Sequence, residues 1–170
     1  NAASNLNVTM GPGDDTIDIG AELTDADTLT GGIGRDTLIV DDSSDISGLT
    51  ALNNISEFEI VRMTEAGGSA SFASLTGYDT IDIRATAGTA TTSNVAEGTA
   101  VTISGDAPTT VTHGVTGAAL ADSVNATTFT LDNGTANTDV DVTTLSAAGI
   151  ETVGIVSQGV VSICPSATAG

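Results

Sequence analysis

Short stretches of this chain alternate between apolar and polar residues, a pattern typical of β-strands with one buried face. The segments TIDI at 80–83, AVTIS at 100–104 and TFTLD at 128–132 each place an apolar side chain at every second position. Glycines and other turn formers separate such segments. We therefore predict many short strands and almost no helix.

The strand-like segments also recur at a nearly constant interval. They begin near positions 15, 36, 58, 79 and 99, a step of about 20 to 22 residues. Such a step suits one rung of a β-solenoid, in which stacked rungs bury a narrow interior. The interval is lost between about 105 and 127, where a longer loop, a hairpin or a change to sandwich packing all fit the sequence.

The composition agrees with a narrow interior filled by small side chains. Aromatic residues make up 2% of the 170 residues, and 20 residues are Gly. The core must therefore consist mainly of Val, Ile, Leu, Ala and Thr, and the abundance of β-branched residues favours strands. The predicted fold class is all-β, with a parallel β-roll or β-solenoid.

Two segments near the N-terminus match the calcium-binding nonapeptide G-G-x-G-x-D-x-U-x, where U is a large apolar residue. GGIGRDTLI at 31–39 matches every defined position, and MGPGDDTID at 10–18 matches all but the first glycine. Between them, ELTDADTLT at 22–30 keeps Asp27 and Leu29 without the glycines.

The spacing of the aspartates predicts which loops stack. Asp27, Asp36 and Asp45 are nine residues apart, and Asp15 precedes Asp36 by 21 residues. In a parallel roll two nonapeptides complete one turn, so loops about 18 residues apart, or 21 with three inserted, lie on the same side. Stacked loops then gather carboxylates and glycine carbonyls, the hard oxygen ligands that Ca²⁺ requires.

We therefore predict Ca²⁺ as the cofactor, held at two places. The principal site comprises Gly11, Gly13, Asp15, Gly32, Gly34 and Asp36. The second site comprises Asp25, Asp27, Asp42 and Asp45. Ordinary Gly/Asp turns without a metal are the alternative interpretation.

These features divide the chain into three predicted segments. Residues 1–50 are the calcium-binding β-roll, and residues 51–105 are further solenoid rungs. Residues 106–170 are a further β-rich segment, solenoid-like or sandwich-like, with room for an inserted loop or hairpin.

The charge balance excludes several classes of partner. The chain has 22 acidic residues against three basic ones, all Arg, and a formal net charge of -19. It has no basic patch for nucleic acid or anionic lipid, and no apolar run long enough to insert into a membrane. Its single cysteine, Cys164, rules out an internal disulfide and has no assigned role.

Three stretches resemble known bacterial repeats. LTGGIGRDTLIV at 29–40 resembles the repeats of RTX proteins, which are exported by type I secretion and fold on meeting extracellular calcium. ISEFEIVRMTEAGG at 55–68 and LSAAGIETVGIVSQG at 145–159 resemble strand repeats of bacterial surface-layer (S-layer) proteins and large RTX adhesins. The resemblance implies an extracellular structural protein of the bacterial cell surface, stabilised by calcium and assembling with copies of itself.

The resemblance leaves two other functions open. An adhesin segment would bind glycan or another cell, and cell-surface glycan or lipopolysaccharide is a further expected partner. A polysaccharide-modifying β-helix enzyme would need carboxylates beside a Lys, Arg or His. The chain has no Lys, and we expect His113 to be a loop residue. Arg62 and Arg84 are expected to pair with acids such as Glu59 or Asp82, so we predict that the protein is not an enzyme.

Overall fold

A computed structural model shows the protein as a parallel β-solenoid and confirms the all-β prediction. It describes residues 5–20, 22–41, 46, 54–65, 69–84, 88–104, 110–116, 125–132, 140–158 and 161–163. All strand pairs between these residues are parallel. Asp42, Asp45 and Cys164 lie outside the described residues.

The main sheet has seven strands, and they follow one another in chain order across the sheet. They are β2 (Thr16–Gly20), β4 (Thr37–Val40), β6 (Ile60–Met63), β8 (Thr80–Ile83), β10 (Ala100–Ser104), β12 (Ala126–Asp132) and β15 (Thr152–Gln158). Thr16 pairs with Thr37, which pairs with Ile60, and the register continues to Thr80 and Ala100. The predicted interval between rungs is thus confirmed over these five strands.

Three smaller sheets contain the remaining strands. The four-stranded sheet has β7 (Ser69–Ser71), β9 (Thr89–Val95), β11 (Thr110–Val115) and β14 (Thr144–Ser146). The three-stranded sheet has β1 (Asn7–Thr9), β3 (Thr28–Thr30) and β5 (Ile55–Ser56), and the two-stranded sheet has β13 (Val140–Val142) and β16 (Val161–Ile163). Within the described ranges, no helix is long and apolar enough to cross a membrane.

Alternating side chains of the main sheet form two continuous apolar columns inside the solenoid. Each member is at most 2% exposed, and neighbours in a column are paired across adjacent strands. Burial of one such side chain contributes about 1.5 to 3 kcal/mol. The columns are Leu38, Val61, Ile81, Val101 and Phe129, and Val40, Met63, Ile83, Ile103 and Leu131.

The last strand of the main sheet, β15, lies at an edge. Ile155 pairs with Phe129 and continues the first column, yet it is 44% exposed whereas Phe129 is fully buried. Val153 and Val156 of the same strand are also exposed. Within the described residues these apolar side chains are covered on one side only, because β12 is the single neighbour of β15 in the sheet.

The outward side of the four-stranded sheet is covered by hydroxyl groups and has no charged residue. Ser69, Thr91, Thr112 and Ser146 form one row across all four strands. Neighbouring strands are about 4.8 Å apart, so the hydroxyls form a regular grid. We call this surface the hydroxyl face; its members are Ser69, Ser71, Thr89, Thr91, Ser93, Thr110, Thr112, Thr144 and Ser146.

The single histidine is part of the interior, so the expectation of a loop residue is wrong. His113 lies in β11 and is 1% exposed. Its Nδ1 is 2.7 Å from Oγ1 of Thr92, and its ring meets Phe129 edge-on with centroids 5.5 Å apart. No described residue bonds to its Nε2. Burial lowers the pKa of His113 from 6.5 to about 4, because the charged ring loses its hydration.

This lowered pKa predicts a loss of stability on mild acidification. Below pH 6.5 the unfolded chain binds a proton at His113 that the folded chain does not bind until about pH 4. The free energy of unfolding should therefore fall by about 2 kcal/mol between pH 7 and pH 5. Urea denaturation at both pH values measures this loss.

His113→Leu is the matched variant, because it replaces the titrating ring with an apolar side chain that has no ionisable group. Its free energy of unfolding should change less between pH 7 and pH 5 than that of the original chain. Titration of the carboxylates is common to both proteins and cancels in the comparison. Equal losses in the two proteins would contradict the prediction.

Candidate functional site

The two glycine-rich segments lie directly on one another, as their spacing of 21 residues predicted. Gly13 N donates to the carbonyl of Ile33 at 2.7 Å, and Thr37 N donates to the carbonyl of Asp15 at 2.8 Å. Pro12 and Ile33 form a parallel bridge. We call residues 10–15 and 31–36 the stacked glycine loops.

Glycine is required in the second loop because the first loop lies so close to it. Gly32 has a φ of +117°, in the region that favours glycine. A Cβ added to Gly32 would overlap the carbonyl oxygen of Gly11, and one added to Gly34 would overlap that of Gly13. A Cβ on Gly11 would meet nothing within 4 Å. The motif glycines therefore allow close stacking where a preceding rung is present.

Asp36 is the most unusual residue of the stacked glycine loops. It is fully buried, and its Oδ1 accepts a hydrogen bond from Asp15 N at 2.7 Å. Its Oδ2 is also buried and accepts no hydrogen bond from the described residues. A buried carboxylate oxygen without a partner is costly, so such an atom needs an explanation. A bound cation at Oδ2 would supply one.

The other predicted ligands of the principal site lie in the same two loops. Asp15 is partly buried, and its Oδ2 accepts a long hydrogen bond of 3.3 Å from Gly11 N. No group of three or more His, Cys, Asp or Glu side chains suited to a metal occurs in the described part of the chain. Calcium at this place would therefore depend on backbone carbonyls beside Asp15 and Asp36, a ligand set that Ca²⁺ accepts.

The second predicted site is only half within the described residues. Asp25 and Asp27 lie in the turn before β3, whereas Asp42 and Asp45 lie outside the described ranges. The Asp27 carboxylate is buried and accepts hydrogen bonds at both oxygens. Its Oδ1 bonds to Leu6 N at 2.8 Å, and its Oδ2 bonds to Thr24 N at 2.7 Å and Thr24 Oγ1 at 3.1 Å. Asp27 thus ties its own turn to the preceding rung.

An acidic residue just before a main-sheet strand plays the same bracing role elsewhere. Glu59 Oε2 accepts a hydrogen bond from Asp36 N, and Glu151 Oε2 accepts one from Asn125 N, both at 2.8 Å. In each case the carboxylate binds the backbone of the preceding rung. Glu59 was not among the predicted site residues, although its place before β6 matches that of Asp36 before β4.

The first arginine bridges two rungs on the surface. Arg35 donates from both Nη atoms to the carboxylate of Asp79, at 2.9 and 2.7 Å, and from Nη2 to Thr80 Oγ1 at 2.8 Å. These hydrogen bonds raise the pKa of Arg35 and lower that of Asp79. Both side chains are about half exposed, so the pair contributes at most about 1 kcal/mol.

The other two arginines share one buried carboxylate. Arg62 Nε and Arg84 Nε each lie 2.8 Å from Asp82 Oδ2. Ser104 Oγ donates to Asp82 Oδ1 at 3.0 Å. The expected pairing of both arginines with Asp82 is confirmed, and pairing with Glu59 is not found.

One small cavity lies beside the aromatic pair Phe72 and Tyr78. It measures about 220 Å³ and is lined mainly by apolar groups. The Tyr78 hydroxyl accepts a hydrogen bond from Ala96 N at 3.1 Å, and burial raises the pKa of Tyr78. No charged side chain of the described residues lines this cavity.

Comparison with models of known protein families, with characterised proteins and with solved structures finds no match to this chain. The stacked glycine loops and the three arginine pairs are therefore interpreted from their own geometry.

Proposed function

We propose that the chain is a calcium-stabilised structural segment of an extracellular bacterial protein, a subunit of an S-layer or a similar self-assembling surface array. The observation that carries the proposal is the pair of stacked glycine loops, together with the buried Oδ2 of Asp36, which accepts no hydrogen bond from the described residues. The resemblance to RTX repeats, and with it export by type I secretion, belongs to the same proposal.

Calcium suits these loops for an electrostatic reason. The Asp36 carboxylate accepts a hydrogen bond from the backbone N of Asp15, so two acidic residues of successive rungs are neighbours in a chain of net charge -19. A divalent cation between them would offset their repulsion and satisfy the unbonded oxygen of Asp36. Extracellular calcium modules bind with a dissociation constant of about 10⁻⁴ to 10⁻³ M, so such a site fills outside the cell and empties in the cytosol.

The hydroxyl face supports packing between copies of the chain. Two chains of charge -19 repel each other over most of their surface. The hydroxyl face has no charge, and its Ser and Thr side chains both donate and accept hydrogen bonds. Two copies can therefore meet there with the least repulsion.

Sedimentation velocity, with millimolar calcium or with chelator, tests this proposal. The chain is expected to associate when calcium is present and to dissociate at least partly when it is removed. The double variant Thr91→Asp/Thr112→Asp places two charges in the centre of the hydroxyl face and should keep the protein monomeric. Thr128→Asp is the control, because Thr128 is exposed on the outward side of β12 in the main sheet.

Two outcomes would contradict the proposal. If the chain stays monomeric at high concentration with calcium present, the proposed self-assembly is wrong. If Thr128→Asp weakens association as much as the double variant does, the hydroxyl face is not the interface. Circular dichroism shows whether each variant keeps its strands.

An adhesin segment that binds glycan is the second candidate function, and the outward position of Arg62 and Arg84 favours it. A polysaccharide-modifying enzyme is the third and least supported. His113, the residue such an enzyme would use as a base, is buried in the interior and bonded to Thr92. Capture of polysaccharide without turnover distinguishes the adhesin from the enzyme.

A further inference from the structure

We propose that Arg62 and Arg84 form a binding site for an oxyanion, namely a carboxylate, a sulfate group or a phosphate group, on the outward side of the main sheet. The inference goes beyond the structural role proposed above and does not depend on calcium. It rests on the shared carboxylate that holds the two guanidinium groups together.

Asp82 fixes both guanidinium groups in place. Arg62 on β6 pairs in register with Asp82 on β8, and Arg84 follows directly after β8. Both Nε atoms bond to the same oxygen, Asp82 Oδ2, at 2.8 Å. Ser104 holds the other oxygen, so the carboxylate cannot rotate freely. The two arginines are thus oriented before any ligand arrives.

The shared contact uses only a small part of each guanidinium group. Each arginine has five N–H donors, and the bond from Nε uses one of them. No described residue accepts a hydrogen bond from the Nη groups of Arg62 or Arg84. The side chains are 21% and 49% exposed, whereas that of Asp82 is 8% exposed. The remaining donors are therefore available to a ligand from solvent, in the fork geometry that suits oxyanions.

The three bonded side chains together carry a positive charge, although the chain as a whole is strongly acidic. Two guanidinium groups and one carboxylate leave a net charge of +1, and a bound monoanion would make the group neutral. The third arginine, Arg35, is already bonded through both Nη atoms to Asp79. Three further acids lie near the arginines. Asp18 is two strands from Arg62, about 10 Å between strand backbones, Asp41 directly follows the neighbouring strand β4, and Asp132 pairs with Ser104.

Hydroxyl groups lie beside the arginines and could form additional hydrogen bonds with a ligand. Thr102 pairs in register with Asp82, and Ser104 follows two residues later on the same strand. Both side chains are partly exposed. An acidic sugar offers a carboxylate to the arginines and hydroxyl groups to Thr102 and Ser104, so it should bind better than a simple carboxylate.

Nitrogen-15 NMR of the arginine side chains in the whole chain tests the site. Sulfate, phosphate, acetate and glucuronate are titrated separately at constant ionic strength. The Nε resonances of Arg62 and Arg84 should shift with saturation, and that of Arg35 should not. Arg84→Gln should weaken binding at least tenfold. Arg35→Gln, which changes the net charge equally, should alter it less than twofold.

The ligand series separates two sources of the oxyanion. Tighter binding of glucuronate than of acetate supports an acidic glycan, whereas equal or tighter binding of free phosphate and sulfate supports an inorganic ion. Arg84→Lys keeps the charge without the fork and should bind more weakly than the original chain. Absence of saturable shifts, or equal losses from Arg84→Gln and Arg35→Gln in folded proteins, would overturn the proposal.

Discussion

Gly32→Ala is expected to destabilise the solenoid by about 3 kcal/mol or more. Two causes act together. A positive φ of +117° is unfavourable for alanine, and the added Cβ would overlap the carbonyl oxygen of Gly11. The two loops must then separate, which weakens the bridge between Pro12 and Ile33. Urea denaturation with chelator present measures the loss without any contribution from metal.

Gly11→Ala is the matched control, since Gly11 occupies the corresponding position of the first loop. A Cβ at Gly11 meets nothing within 4 Å, and its φ is not positive. This variant should change the free energy of unfolding by less than about 1 kcal/mol. Losses of similar size in both variants would show that the two loops do not approach as closely as the structure has them.

The repeat of the main sheet could be predicted because one physical rule governs each rung. Inward positions must be apolar in every strand, so the alternation in TIDI and AVTIS reports directly on burial. The predicted starting points near 15, 36, 58, 79 and 99 match the paired residues from Thr16 to Ala100. The stacking of residues 10–15 on 31–36 followed from the same interval.

The roles of individual polar residues could not be predicted, because they depend on contacts between rungs. His113 is in phase with the apolar Val111 and Val115, so the alternation indicated an inward position, but only the register of β9 with β11 places it beside Thr92. The acid Glu59 has no glycine motif around it, yet it bonds to Asp36 N. We expected Arg62 and Arg84 to pair with acids such as Asp82, but the sequence did not show that both arginines bond to one oxygen.

The same limit applies to the aspartates of the nonapeptide register. Asp27 and Asp36 are nine residues apart and occupy the same position of the nonapeptide register, although only the copy around Asp36 keeps the glycines. Their surroundings in the fold differ. Asp27 accepts hydrogen bonds at both oxygens, whereas Asp36 accepts one at Oδ1 and none from the described residues at Oδ2. Which carboxylate oxygen lacks a hydrogen-bond partner is therefore a property of the fold, and the consequence can be measured.

The effect of Asp36→Asn on the free energy of unfolding is expected to change sign when calcium is added. Without calcium the substitution should be neutral or stabilising, because it removes a buried charge and keeps an oxygen that accepts the hydrogen bond from Asp15 N. With calcium at about 100 times its dissociation constant, the original chain should gain about 2.7 kcal/mol, and Asp36→Asn should lose most of that gain. Urea denaturation in calcium and in chelator gives the four free energies of unfolding.

Asp27→Asn completes the comparison, because it changes an equally buried acid in the neighbouring turn. An amide cannot accept hydrogen bonds from Leu6 N and Thr24 N at both of its terminal atoms, so this variant should be less stable in both solutions. Its gain on adding calcium should equal that of the original chain. Hydrogen exchange should show that calcium protects residues 10–15 and 31–36 before other rungs. Two results would mean that the stacked glycine loops are held together without a metal. One is a free energy of unfolding of the original chain that does not change with calcium, and the other is an Asp36→Asn variant that calcium stabilises as much as the original chain.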